Sequence, residues 1–202
     1  MVSLSIPFLK KRILLFFIVA ILSIFSIVLI RGVVLAAVSD TEDTIVSVDV
    51  AEAITIDSTS GTVSINATPG GAVATGDDTI LVSTNDSAGY ILNLEDSDTN
   101  TNLVSGGDTI AAMTVGTACS DAWTNDEALA NGEWGFKADS LGDANEYCPI
   151  LSSAGAGNDI ASAANEVASD STTVTYAVKV SATQPSGTYT DTVMYTATGQ
   201  TP

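Results

Sequence analysis

Apolar and polar residues alternate with a period of two along much of the chain, and β-branched side chains dominate the apolar positions. That period sends successive side chains to opposite faces of a pleated strand and predicts half-buried β-strands. "TIVSVDV" at 44–50 puts Val46, Val48 and Val50 on one face, and "TVSIN" at 62–66 puts Val63 and Ile65 together. "TILVSTN" at 79–85 is a short apolar run suited to burial on both faces. "GYILNLED" at 89–96 sets Tyr90, Leu92 and Leu94 against Asn93 and Glu95. In "TVTYAVKVSAT" at 173–183, Val174, Tyr176, Val178 and Val180 point inward, and Thr175, Ala177 and Lys179 point out. The closing "KVSATQPSGTYTDTVMYTATG" at 179–199 reads as a hairpin about "TQPSG", whose Pro185 and Gly187 are turn residues. On its second strand Tyr189, Val193, Tyr195 and Ala197 share a face. Asp191 falls on the same apolar parity, which calls for a bulge or an edge position.

Between 116 and 170 the alternation dissolves into Ala, Asn, Asp, Ser and Gly. Only "EWGFKA" at 133–138 looks extended there, and "DIASAANEVAS" at 159–169 offers a short helical turn. Seven or eight short strands with regular turns predict an all-β protein, an antiparallel β-sandwich of Ig-like or jelly-roll topology. The expected organisation is one domain over 38–202, with an irregular insertion at about 116–170.

The first 37 residues follow another pattern. Lys10, Lys11 and Arg12 precede an unbroken apolar run over 13–30, which predicts an export signal formed by a hydrophobic helix. The run is longer than the core of most cleaved signals and just reaches the length of a membrane span. Val34 and Ala36 suit cleavage after Ala36 or Ala37, and a retained membrane anchor is the other reading. In both, the leading cations hold the amino terminus inside and the remainder is exported, to become secreted or displayed at the cell surface.

Export changes the charge balance. Of six basic residues four lie in the leader, so Lys137 and Lys179 face all 24 acidic residues, a net charge of −22. Such a surface cannot neutralise a phosphate backbone or settle on an anionic bilayer, which excludes nucleic-acid binding and leaves membrane contact to the leader alone. Cys119 and Cys148 both fall in the exported part, where oxidation is permitted. A disulfide between them would close a loop worth about 3–4 kcal/mol in chain entropy.

The stretches "STNDSAGYILNLED", "NGEWGFKA" and "SATQPSGTYTDTVMYTATG" resemble small secreted surface proteins of Gram-positive-type and candidate-phylum bacteria, similar in style to the WxL cell-wall domains. The resemblance implies a β-sandwich displayed at the cell envelope, in the WxL case by non-covalent attachment to peptidoglycan. Trp123 is followed by Thr-Asn and Trp134 by Gly-Phe, so the Trp-x-Leu motifs of that family are missing here.

Asp96, Asp98, Asn100 and Asn102 stand two apart, as oxygen ligands do in calcium loops. An EF-hand begun at Asp96 would need Gly at its sixth position and Glu at its twelfth, where Thr101 and Gly107 stand. The competing reading is a polar turn after a strand, so weak calcium binding is the one cofactor-like expectation. Asp77 with Asp78, and Asp126 with Glu127, read as solvated loop pairs. The chain has no histidine, which removes triad nucleophiles and the preferred zinc ligands. Trp123, Trp134, Phe136 and Tyr147 form a candidate glycan-contacting group, although Trp134 and Phe136 share a strand face and equally suit a core plug. These residues predict a non-enzymatic structural or adhesive envelope protein whose partner is an envelope or extracellular glycan or protein. Two alternatives stand: a carbohydrate-binding or carboxylate-dependent glycan-active protein, and a subunit that assembles by strand addition.

Overall fold

A computed structural model describes residues 39–114, 128–141, 147–154 and 157–201. The leader, with its apolar run, Cys119, Trp123, Asp126 and Glu127 lie outside them. Among the described residues no helix is long and apolar enough to cross a membrane. The chain divides into residues 1–49 and 50–202. In the first unit, residues 39–49 are irregular and exposed, so the strand expected over 44–50 is not formed. Its alternation is intact, but a strand also needs a neighbour to take its backbone N–H and C=O groups.

The second unit is nearly all β. Among the described residues it contains β1 (Ile54–Ser58), β2 (Ala74–Thr84), β3 (Tyr90–Asp96), β4 (Leu103–Ser105), β5 (Asp108–Ala112), β6 (Glu133–Ala138), β7 (Asn158–Ala163), β8 (Val167–Lys179) and β9 (Val193–Gly199). Six strands form one sheet in the order β1-β2-β8-β6-β5-β4, and three form another in the order β7-β3-β9. Neighbours run antiparallel, except that β5 and β6 are parallel.

One core takes side chains from both sheets. Ile80 and Val82 of β2, Trp134 and Phe136 of β6, and Val174, Tyr176 and Val178 of β8 meet Tyr90, Leu92 and Leu94 of β3 and Ile160 of β7. Burying each such large side chain stabilises the fold by about 1.5–3 kcal/mol. Two hydroxyl contacts link the sheets. The Tyr90 hydroxyl of β3 donates to the Asp170 carboxylate of β8 at 2.8 Å, and the hydroxyls of Tyr176 on β8 and Tyr195 on β9 stand 2.5 Å apart. Burial pushes the Tyr176 and Tyr195 phenols well above their ordinary range, so the pair stays neutral.

Several expectations need correction. The closing segment is not a hairpin, because β8 belongs to the six-stranded sheet and β9 pairs with β3 of the other. The connection between them is held partway by Thr190, which bridges Val104 of β4. Residues 158–163 and 167–169 are strand rather than helical turn, since Ile160 finds a core to enter. Val63 and Ile65 are half-buried against the core without joining a ladder. Ala177, expected to face out, is buried with Met113 and Leu129 on the opposite face of β8. Asp78 is buried rather than solvated. Its carboxylate accepts from the Ser58 hydroxyl at 2.7 Å and the Ser60 amide at 3.1 Å.

The second cluster relies on Gly135. It lies opposite Ala177 in the β6–β8 register, and a Cβ there would meet the Cys148 carbonyl oxygen at 2.6 Å and the Met113 sulfur at 2.8 Å. Gly135→Ala is expected to overpack this contact and destabilise the fold by about 1–3 kcal/mol. A lower urea midpoint at unchanged slope checks it.

Candidate functional site

The strands β3 and β9 end together at an acidic corner. Asp96 continues the parity of Tyr90, Leu92 and Leu94 and is therefore carried inward, where it is fully buried. It pairs with Val193 across the β3–β9 ladder. Asp191 stands two residues before Val193, on the same parity, so the two carboxylates reach the same end of the same face.

Each carboxylate has one oxygen satisfied locally. Asp96 Oδ1 accepts the Asp98 amide at 2.7 Å, and Asp191 Oδ1 accepts the Thr192 amide at 2.7 Å. The other oxygens, Asp96 Oδ2 and Asp191 Oδ2, are buried without a hydrogen-bond partner. A proton between them would turn repulsion into a hydrogen bond. Burial raises the Asp191 carboxyl to about 6, the nearby Asp96 and Asp98 charges add to the rise, and the Thr192 amide opposes it.

The spaced series Asp96, Asp98, Asn100 and Asn102 is occupied by hydrogen bonds within the protein. Asp98 Oδ1 accepts the Asn100 amide at 2.6 Å, Asn100 Oδ1 accepts from the Asn102 side chain at 3.0 Å, and Asn102 Oδ1 accepts the Ala112 amide at 3.2 Å. The Asp96 and Asp98 bonds are the local bonding that favours Asp in turns, whereas Asn102 ties the loop to β5. Of the four, Asp96 alone keeps a buried oxygen without a partner. Among the described residues, no three carboxylate, cysteine or histidine side chains form a group able to hold a metal.

Beside this loop opens a cleft of about 430 Å³, lined by Thr101, Asn102, Met113, Thr114, Ile150 and Leu151 among others. Its lining combines threonine hydroxyls with apolar surface.

The aromatic group is dispersed. Trp134 and Phe136 are in the core, the indole N–H of Trp134 bonded to the Thr101 carbonyl at 2.9 Å. A stacking platform needs an open ring face, and these two rings have none. Tyr147 is half-buried, with the Lys137 ammonium 5.8 Å from its ring centre. Cys148 is not a free thiol, and its backbone exchanges hydrogen bonds with Phe136; Cys119, its expected partner, lies outside the described residues.

In the sequence Asp191 is an oddity of parity and Asp96 a loop oxygen, and nothing local joins them. The signal was available: two acids on core parity, each at the end of a strand. Comparison of the chain with protein-family models and with curated protein sequences finds no match.

The raised Asp191 carboxyl fixes the sign of a pH dependence. Between its ordinary value of 3.8 and about 6, the folded state holds more protons than the unfolded state. Stability therefore falls as pH rises through that window. Asp191→Asn is expected to flatten this slope and to raise the melting temperature above pH 6. Thermal melts of both proteins between pH 4 and 8 check it.

Proposed function

We propose that this chain is an exported cell-envelope protein, structural or adhesive rather than catalytic, whose two sheets are the layers of a β-sandwich. The common core and the Tyr90–Asp170 and Tyr176–Tyr195 contacts support the layered reading. The basic-then-apolar leader supports export.

The observation that carries the structural role is how the acids are used. Asp78, Asp86, Asp96, Asp98 and Asp191 each accept from a backbone amide near their own turn or from a neighbouring strand end. These carboxylates organise the backbone, and the exposed remainder keeps a protein with only two exported cations soluble through self-repulsion. The likeness to WxL-type wall proteins agrees with this placement, although attachment through Trp-x-Leu motifs is not part of the proposal. A Cys119–Cys148 disulfide belongs to it, as a brace on the segment between β5 and β6.

Intact-mass measurement of the protein purified from its native cells, with cell fractionation, tests the proposal. The expected species lies in the envelope or medium, begins after Ala36 or Ala37 or keeps the whole leader as an anchor, and gains two hydrogens on reduction. A reduced protein in the soluble cytoplasm would overturn it.

A further inference from the structure

Four large apolar side chains, Ile45, Val46, Val48 and Val50, are between 78 and 93 % exposed. They lie in a segment whose sequence reads as a strand and whose backbone is irregular, and unlike Val63 and Ile65 they pack against nothing in the core. Leaving that alternating face in water forgoes the stabilisation its pattern is suited to provide.

The second unit has a complementary gap. In the β1–β2 register Ile54 lies opposite Thr84 and Ile56 opposite Val82. Directly opposed residues in an antiparallel pair share a face, and Val82 is at 0 % exposure in the core. Ile54 and Ile56 thus point to the core side, yet are 36 and 41 % exposed. Across from them β9, which contacts β1, is the edge of the three-stranded sheet. Its inward residues Val193, Tyr195 and Ala197 are only half-buried. The core is open along a seam between β1 and β9.

Charge singles out the same edge. In a chain this acidic, edge strands β1 and β7 carry Asp57 and Asp159, and β4 has three residues. β9, with seven, carries no charge, proline or bulge, the usual protections of an exposed edge. The donor stretch 44–50 carries a single charge, Asp49, on the parity opposite Val46, Val48 and Val50.

We propose that residues 44–50 of one copy add as a strand beside β9 of a second copy, with Val46, Val48 and Val50 closing the seam over Ile54 and Ile56. A seven-residue strand is about 23 Å long, matching the length of β9. Its backbone edge would pair with β9 while its valine face is taken out of water. Only residues 51–53 separate the segment from β1, and Asn85 holds them, bonding the Ala51 carbonyl and both the amide and carbonyl of Ala53. Each copy then offers one donor and one acceptor, a head-to-tail arrangement that propagates as a filament or closes as a ring. This names the partner in the structural role proposed above but does not depend on export.

The test is photo-cross-linking of the full chain in detergent, with a photoreactive residue at Ser47, compared with the same protein carrying Val46→Asp and Val48→Asp. Both changes are at exposed positions, and an unchanged melting temperature shows that the fold is kept. The expected result is a ladder of dimer and higher bands, with cross-linked peptides from 193–199, lost in the double variant. Cross-links to another strand, cross-links only within one chain, a ladder that survives the double variant, or no ladder would each overturn the proposal. None of these outcomes bears on where the protein resides, which fractionation reports separately.

Discussion

The insertion of Tyr90, Leu92 and Leu94 among the side chains of the larger sheet is the interaction on which the rest of this structure depends. Neither sheet can stand alone, since each presents one apolar face that is stable only when covered. Once β3 is seated, β7 and β9 are set by their registers with it. The acidic corner, the tyrosine contacts and the open seam all follow from where those three strands end.

The acids show how a strongly anionic chain remains foldable. Buried carboxylates are costly unless their oxygens are satisfied, and most described here accept backbone amides. Asp96 and Asp191 are the departure, because each keeps one buried oxygen without a hydrogen-bond partner. A position that works against stability at neutral pH marks a place where protonation, not packing, decides the local free energy.

Alternation made much of the fold legible. The core-facing residues of β3, and of β8 from Val174 to Val178, were readable residue by residue, because alternate residues there enter the core. Pairing was not readable. The β8–β9 segment carries hairpin chemistry at Pro185 and Gly187, yet the chain uses it to cross between sheets; local turn signals do not say which sheet receives the next strand. Ala177 was assigned outward by parity, and a second cluster of Met113 and Leu129, invisible to periodicity, covers it. At the corner, the two-residue spacing of Asp96, Asp98, Asn100 and Asn102 was visible, but its purpose became clear only from which amide each oxygen accepts.

Two sheets that share one core make a specific demand on the energetics of opening. Native-state hydrogen exchange tests most directly whether the two sheets are one cooperative unit. Amides in the middle of β3 and β8 are expected to exchange with the same free energy, equal to that of global unfolding. Exchange of β3 at a clearly lower free energy than β8 would mean that the sheets open independently and would contradict the account.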